Sequence, residues 1–182
     1  MSAVSASLGL SLLEKVLEIV RQRRDFSGDP ERLGQLREGA RAESARLARY
    51  ADEDIEAFDK YMECRRLAKG AERERALAAA LRTTIEVPMK VARSAIAGLD
   101  LCADAAGFVH AFVAADLGAA VELLAGAVRA TLWSVDFNAA QVPHDSQFYR
   151  DVIAERDELR NLVRLKTDAL LRRIADLISN AP

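Results

Sequence analysis

Leu47-Ala48-Arg49-Tyr50-Ala51-Asp52-Glu53-Asp54-Ile55-Glu56-Ala57-Phe58-Asp59-Lys60-Tyr61 is the stretch on which the fold turns. Its apolar positions Leu47, Ala51, Phe58 and Tyr61 recur at spacings of 4, 7 and 3, the signature of one face of an α-helix. Asp54 fills the gap in that stripe, so the periodicity predicts a carboxylate turned toward the core. Asp52 stands about 200° away around the helix and points elsewhere. A carboxylate on a buried face is costly unless something pairs with it. Asp54 is therefore either a structural hydrogen-bond acceptor or part of a site.

The same period extends in both directions. Strand-like alternation is almost absent, and Gly and Pro fall mostly at breaks. Helix one is expected from about Ala3 to Gln22, apolar on nearly every side and hence central. Arg24 to Pro30 reads as a loop, with Asp29 as N-cap and Pro30 at the first helical position. Helix two runs from Pro30 to about Leu67, with Glu38-Gly39-Ala40 as the place for a bend, and ends at Lys69-Gly70. Helix three covers about Glu72 to Leu99, with Pro88 inside it as a kink or split. Helix four covers about Phe108 to Ala140. Its stripe reads Val109, Phe112, Asp116, Ala119, Leu123, Ala127, Ala130, Ser134 and Asn138, with Leu124 and Val128 alongside. Asp116, Ser134 and Asn138 are polar intruders on it. The loop 141–146 leads to helix five, from Gln147 to Ser179, an outer helix or a dimerisation strip. The fold class is all-α, a single-domain bundle of about five long helices over residues 1–182.

Bulk composition removes several classes of function. A chain of 182 residues can bury a sizeable core. A net charge of −2 and an aromatic content of 5% favour neither nucleic acid nor an anionic membrane. Cys64 and Cys102 are too few and too far apart for a disulfide framework. His110 and His144 stand in no Glu-x-x-His pair, so no metal is expected. The apolar start is interrupted by Glu14, Lys15 and Glu18, which reads as a buried helix rather than a leader or a membrane span, with a cytoplasmic location as default. No nucleophile elbow, phosphate loop or HExxH is present. What remains are the acids Asp54 and Asp116 on two long helices. A desolvated carboxylate can exchange protons near neutrality, and an ionised one can stabilise a cationic intermediate. Lys69 and Arg24, at helix ends, are candidates to meet an anionic substrate.

The stretch Ala51-Asp52-Glu53-Asp54-Ile55-Glu56-Ala57-Phe58-Asp59-Lys60-Tyr61 resembles the Asp-x-Asp-x-x-Ala-Phe-x-x-Tyr segment of the formiminotransferase-cyclodeaminase and methenyltetrahydrofolate cyclohydrolase family. Further matches follow in the same order. Arg66-Leu67-Ala68-Lys69 is similar to the family's Arg-Leu-Pro-Lys, and Glu86-Val87-Pro88 to its Val-Pro. Ala115-Asp116-Leu117 resembles its Ser-Asp-Leu, and Ser134-Val135-Asp136-Phe137-Asn138 its Asn-Val-x-Ile-Asn. Ser2 to Ile19 and Arg23-Arg24-Asp25-Phe26 resemble its first helix and that helix's end.

The resemblance implies a helical homodimer acting on a tetrahydrofolate derivative as substrate, with no covalently bound cofactor. The chemistry is ring closure of a formimino group with loss of ammonia, or hydration of a methenyl group. It implies Asp54 as catalytic group with Asp52 as neighbour, Asp116 and Asn138 as groups orienting pterin or water, and Lys69 and Arg24 as binders of the folate carboxylates. The chain opens at Met1-Ser2-Ala3 where the family has a Gly-Gly-Gly-Ser loop, and Ala68, Ala115 and Ser134 replace family Pro, Ser and Asn. These departures leave an alternative: a divergent cyclodeaminase-fold protein with another cyclisation or imine reaction, or a non-catalytic binding or assembly role.

Overall fold

The computed structural model describes residues 1–24 and 26–180; Asp25 of the Arg23-Arg24-Asp25-Phe26 match lies outside them. Among the described residues there are five helices and no strand: α1 Ser2–Gln22, α2 Pro30–Arg66, α3 Ala71–Ala105, α4 Ala111–Ala139 and α5 Gln147–Ser179. The ends follow local chemistry. The Asp29 carboxylate accepts from the N–H groups of Glu31 (2.9 Å) and Arg32 (3.2 Å), with Pro30 at the first turn. Ser146 Oγ likewise accepts from Tyr149 N–H at 3.1 Å to start α5.

Short turns make successive helices antiparallel, and α1 packs against α2 and α4. Gly9 sets the α1–α4 approach, since a Cβ there would stand 3.0 Å from the Ala120 carbonyl oxygen. Polar side chains link the helices at their rims. Arg41 meets Glu14 and Arg37 meets Glu18 between α2 and α1. Arg93 grips Glu155 with two bonds (2.5 and 3.0 Å) between α3 and α5. Asp136 of α4 takes both Arg156 and Arg160 of α5.

Three expectations are corrected. First, α3 runs six residues past Leu99, because Cys102 and Ala105 continue its buried face. Second, α1 is not central: Val4, Leu8, Ser11 and Lys15 are exposed. The middle position belongs to α4, packed by α1, α3 and α5. Third, the buried face of α4 carries Val113, Leu117, Val121, Leu124, Val128 and Leu132, whereas Phe112, Ala119, Ala130 and Ser134 of the expected stripe are exposed. A helix apolar on most of its circumference has no single period to betray its inward face. By length and composition α4 would also suit a membrane, and half of its most apolar stretch is buried inside the bundle.

Proline 88 neither splits α3 nor leaves its backbone unsatisfied. Its missing N–H frees the carbonyl of Thr84, four residues earlier. Asn138 Nδ2, from α4, donates to that oxygen at 2.8 Å.

Candidate functional site

α2 spans 37 residues and α1 only 21, so α2 is about 55 Å long and α1 about 31 Å. The start of α1 is level with the middle of α2: Met1, Ser2 and Ala3 share a small cavity of about 140 Å³ with Asp54, Pro88, Thr131 and Ser134. Beyond that point α2 and α4 have no α1 between them, and a groove of about 700 Å³ opens over α3. Asp54, Pro88 and Ser134 line both spaces. Thr84 and Pro88 of α3 and Asn138 of α4 also line the groove. Its apolar sides are Ile55, Phe58 and Tyr61 from α2 and Trp133 and Phe137 from α4. Trp133 and Phe137 are 71% and 75% exposed, large values for aromatics on a helix flanked by three others.

Asp54 is exposed, not buried as the periodicity predicts. Its direction on α2 is nonetheless the expected one: it projects from the same stripe as Leu36 and Leu47, both fully buried. What differs is the neighbour. Leu47 has α1 in front of it, whereas Asp54 stands where α1 begins and the groove opens. Asn138 is half-buried, tied to the α3 backbone through Nδ2, and its Oδ1 accepts no hydrogen bond among the described residues. Thr131 is buried in the small cavity, and its hydroxyl has no partner among the described residues. A polar atom so placed suits a bound water or a polar substrate group.

The other expected residues are not brought here within one subunit. Asp52 is exposed on the far side of α2 and lines neither space. Asp116 does not face the core; it is half-buried and pairs with Lys15 of α1 at 3.4 Å. It lies 22 residues before Asn138 on the same helix, about 33 Å along the axis. Arg24 is exposed in the α1–α2 turn, at the end of the bundle opposite the groove. Lys69 is exposed in the α2–α3 turn, at the groove's end of the bundle but outside its walls. The cation that does line the groove is Arg65, with Gln141 beside it. The sequence offers one sign of this: Arg65 lies 11 residues after Asp54, about three helical turns along the same side. No group of three or more His, Cys, Asp or Glu able to hold a metal exists among the described residues.

The groove thus offers a carboxylate, an amide oxygen and a guanidinium between aromatic walls. Such a space can hold a flat, polar ring system against Phe58, Trp133 or Phe137 and present a negative charge to a cationic atom beside it. The carboxylate can also take up and return a proton.

Comparison with known proteins gives a consistent picture. The formiminotransferase-cyclodeaminase family profile matches residues 1–158. No curated protein matches the chain. Among solved structures, the formiminotetrahydrofolate cyclodeaminase of Thermotoga maritima is similar over 97% of this chain and 86% of its own. The TM-score is 0.87 at 20% sequence identity, which establishes a shared fold.

Proposed function

Since the chain belongs to the formiminotransferase-cyclodeaminase family, we propose that it catalyses a cyclodeaminase-type reaction on a one-carbon unit carried by tetrahydrofolate. The observation that supports this reading is the position of Asp54 at the junction of the groove and the small cavity, among aromatic walls. The pterin lies against the aromatic side chains, and the folate carboxylates reach toward Arg65. In ring closure, N10 of the substrate attacks the formimino carbon. The formimino group enters as its amidinium, so the attack forms a carbon–nitrogen bond and leaves a terminal NH2; that nitrogen takes the proton N10 has lost, its bond to the carbon breaks, and ammonia departs. The carbon is left as the methenyl cation. Asp54 accepts the N10 proton, returns it to the leaving amine, and faces the positive charge that remains. In the hydrolytic variant, water adds to that same carbon and Asp54 takes the water's proton. Asn138 Oδ1 and the Thr131 hydroxyl orient the water or the amine. The working form is a cytoplasmic homodimer.

The distance of Asp116, Lys69 and Arg24 from the groove favours a second reading, a cyclodeaminase-fold protein with a changed reaction or none. One experiment separates the two. Formimino- and methenyl-tetrahydrofolate are supplied in turn, and the methenyl absorbance is followed with wild type and with Asp54→Asn. The proposal expects wild type to exceed the uncatalysed rate with one of them and the variant to lose about 10²- to 10⁴-fold. Wild type and variant both running at the uncatalysed rate would overturn it.

A further inference from the structure

The small cavity adjoins the groove on the side toward α1, and three helices build the step between them in the same way. Ala51 of α2, Val91 of α3 and Thr131 of α4 line the small cavity and not the groove. Three residues along each helix stand Asp54, Pro88 and Ser134, which line both spaces. Three residues are about 4.5 Å of helix, so one layer of side chains lies roughly that far behind the other. The volume behind Asp54 is about 140 Å³, against about 700 Å³ in the groove. At ~30 Å³ for each water-sized molecule it has room for a few of them.

Of the three side chains in the rear layer only Thr131 is polar. It is 3% exposed, and its hydroxyl has no partner among the described residues. A threonine within a helix can set its hydroxyl on a carbonyl of the preceding turn, as Thr84 does on Leu81 at 2.8 Å. Thr131 makes no such bond, which leaves one donor and one acceptor for a guest in the cavity.

We propose that the small cavity is the compartment of the departing amine, an ammonia site in which Thr131 Oγ1 accepts the hydrogen bond. The inference deepens the folate reading given above and rests on it. With the ring system in the groove and the formimino carbon beside Asp54, the terminal nitrogen points into the rear layer. A carbon–nitrogen bond of about 1.3 Å followed by an N–H···O bond of about 2.9 Å reaches about as far as the step between the layers. The terminal NH2 takes from Asp54 the proton that N10 has lost. Its bond to the carbon then breaks, the electron pair goes to nitrogen, and ammonia is left on Thr131. The carbon, now the methenyl cation, stays facing Asp54. The two products thus part into separate spaces, the cation among aromatic walls and the amine among Ala51, Val91 and Thr131.

The test is product inhibition. Ring closure of formimino-tetrahydrofolate is followed by methenyl absorbance with rising ammonium chloride, against tetramethylammonium chloride of equal ionic strength, a cation with no N–H to donate. Ammonium should inhibit wild type and tetramethylammonium should not, a comparison that needs no variant. Thr131→Val, of the same shape, should raise the ammonium concentration for half-inhibition by about tenfold, the scale of one hydrogen bond, and leave KM for the folate near wild type. Thr131→Ser restores the hydroxyl and with it the inhibition. Circular dichroism checks that both variants fold. Ammonium acting no better than tetramethylammonium, Thr131→Val inhibited like wild type, or a folate KM that rises by the same factor would each overturn the proposal. A wild type that acts on the methenyl substrate alone would overturn it too, by giving the cavity to water, and would leave the folate reading standing. A wild type idle on both substrates would end both.

Discussion

Asn138 Nδ2 donates to the carbonyl oxygen of Thr84 at 2.8 Å, the very oxygen that Pro88 leaves without a helical donor. An asparagine on one helix thus completes the hydrogen bonding of another. The proline that breaks the ladder and the amide that repairs it both line the groove. Asn138→Ala should cost about 1–3 kcal/mol, since it leaves a largely buried carbonyl unpaired. In a Pro88→Ala background Thr84 regains the N–H of residue 88, and the same substitution should cost about 1 kcal/mol less. Urea denaturation of the four proteins measures the coupling. Strict additivity would mean that the amide does not stand in for the lost donor.

The closeness of α4 to its neighbours makes a second prediction. A Cβ at Gly98 would lie 2.8 Å from Leu124 Cδ2 and 3.1 Å from Leu10 Cδ2, in the heart of the core. Gly98→Ala should therefore destabilise by about 1–3 kcal/mol through overpacking. Gly34, in the interior of α2, has nothing within 4 Å of a Cβ. Gly34→Ala should be neutral or stabilise by up to about 1 kcal/mol. Thermal melts of both variants test the contrast, and equal effects would contradict the packing at Gly98.

Binding of the substrate's carboxylates gives a third. Arg65 lines the groove and Lys69 does not. Arg65→Ala should raise KM for a folate carrying several glutamates by about tenfold, the scale of one charge-assisted hydrogen bond, and leave kcat little changed. Lys69→Ala should leave both near wild type. The reverse pattern in steady-state kinetics would move the carboxylate end of the site to the α2–α3 turn.

How much of this was legible in the sequence depends on what each residue touches. The helices were, because caps such as Asp29 and Ser146 and the apolar period are local properties. The end of α3 has no mark in the sequence: Asp100 to Ala105 are held in the helix by the packing of Cys102 and Ala105, a property of the assembled bundle. Asp54's direction was legible from its stripe. Its exposure was not, because that depends on α1 beginning level with it, a relation between two distant segments. The exposure of Asp116 is hidden for a related reason: α4 is apolar on most sides, so the period does not separate its buried face from its outer one. Asn138 was singled out as a polar intruder, but its bond to Thr84 required the pairing of α3 and α4. Arg65 stands among the many arginines of α2, and only its spacing from Asp54 sets it apart.

The last prediction concerns acid. Glu18 of α1 accepts hydrogen bonds from Arg21 and Gln22 and lies 2.7 Å from Arg37 of α2. These bonds, Arg21's first, lower its carboxyl pKa from 4.5 to about 2. A pKa lower in the folded chain than in the unfolded one means the unfolded state binds the proton more readily. The contribution of Glu18 is then complete above pH 4.5 and is lost as pH falls toward 2. Glu18→Gln removes that titration while keeping the side chain's shape. Its melting temperature should lie below wild type at neutral pH, and the two should converge between pH 4.5 and 2. Two parallel curves across that interval would show that the charge cluster around Glu18, set mainly by Arg21 and Gln22 of α1 itself, does not contribute to stability.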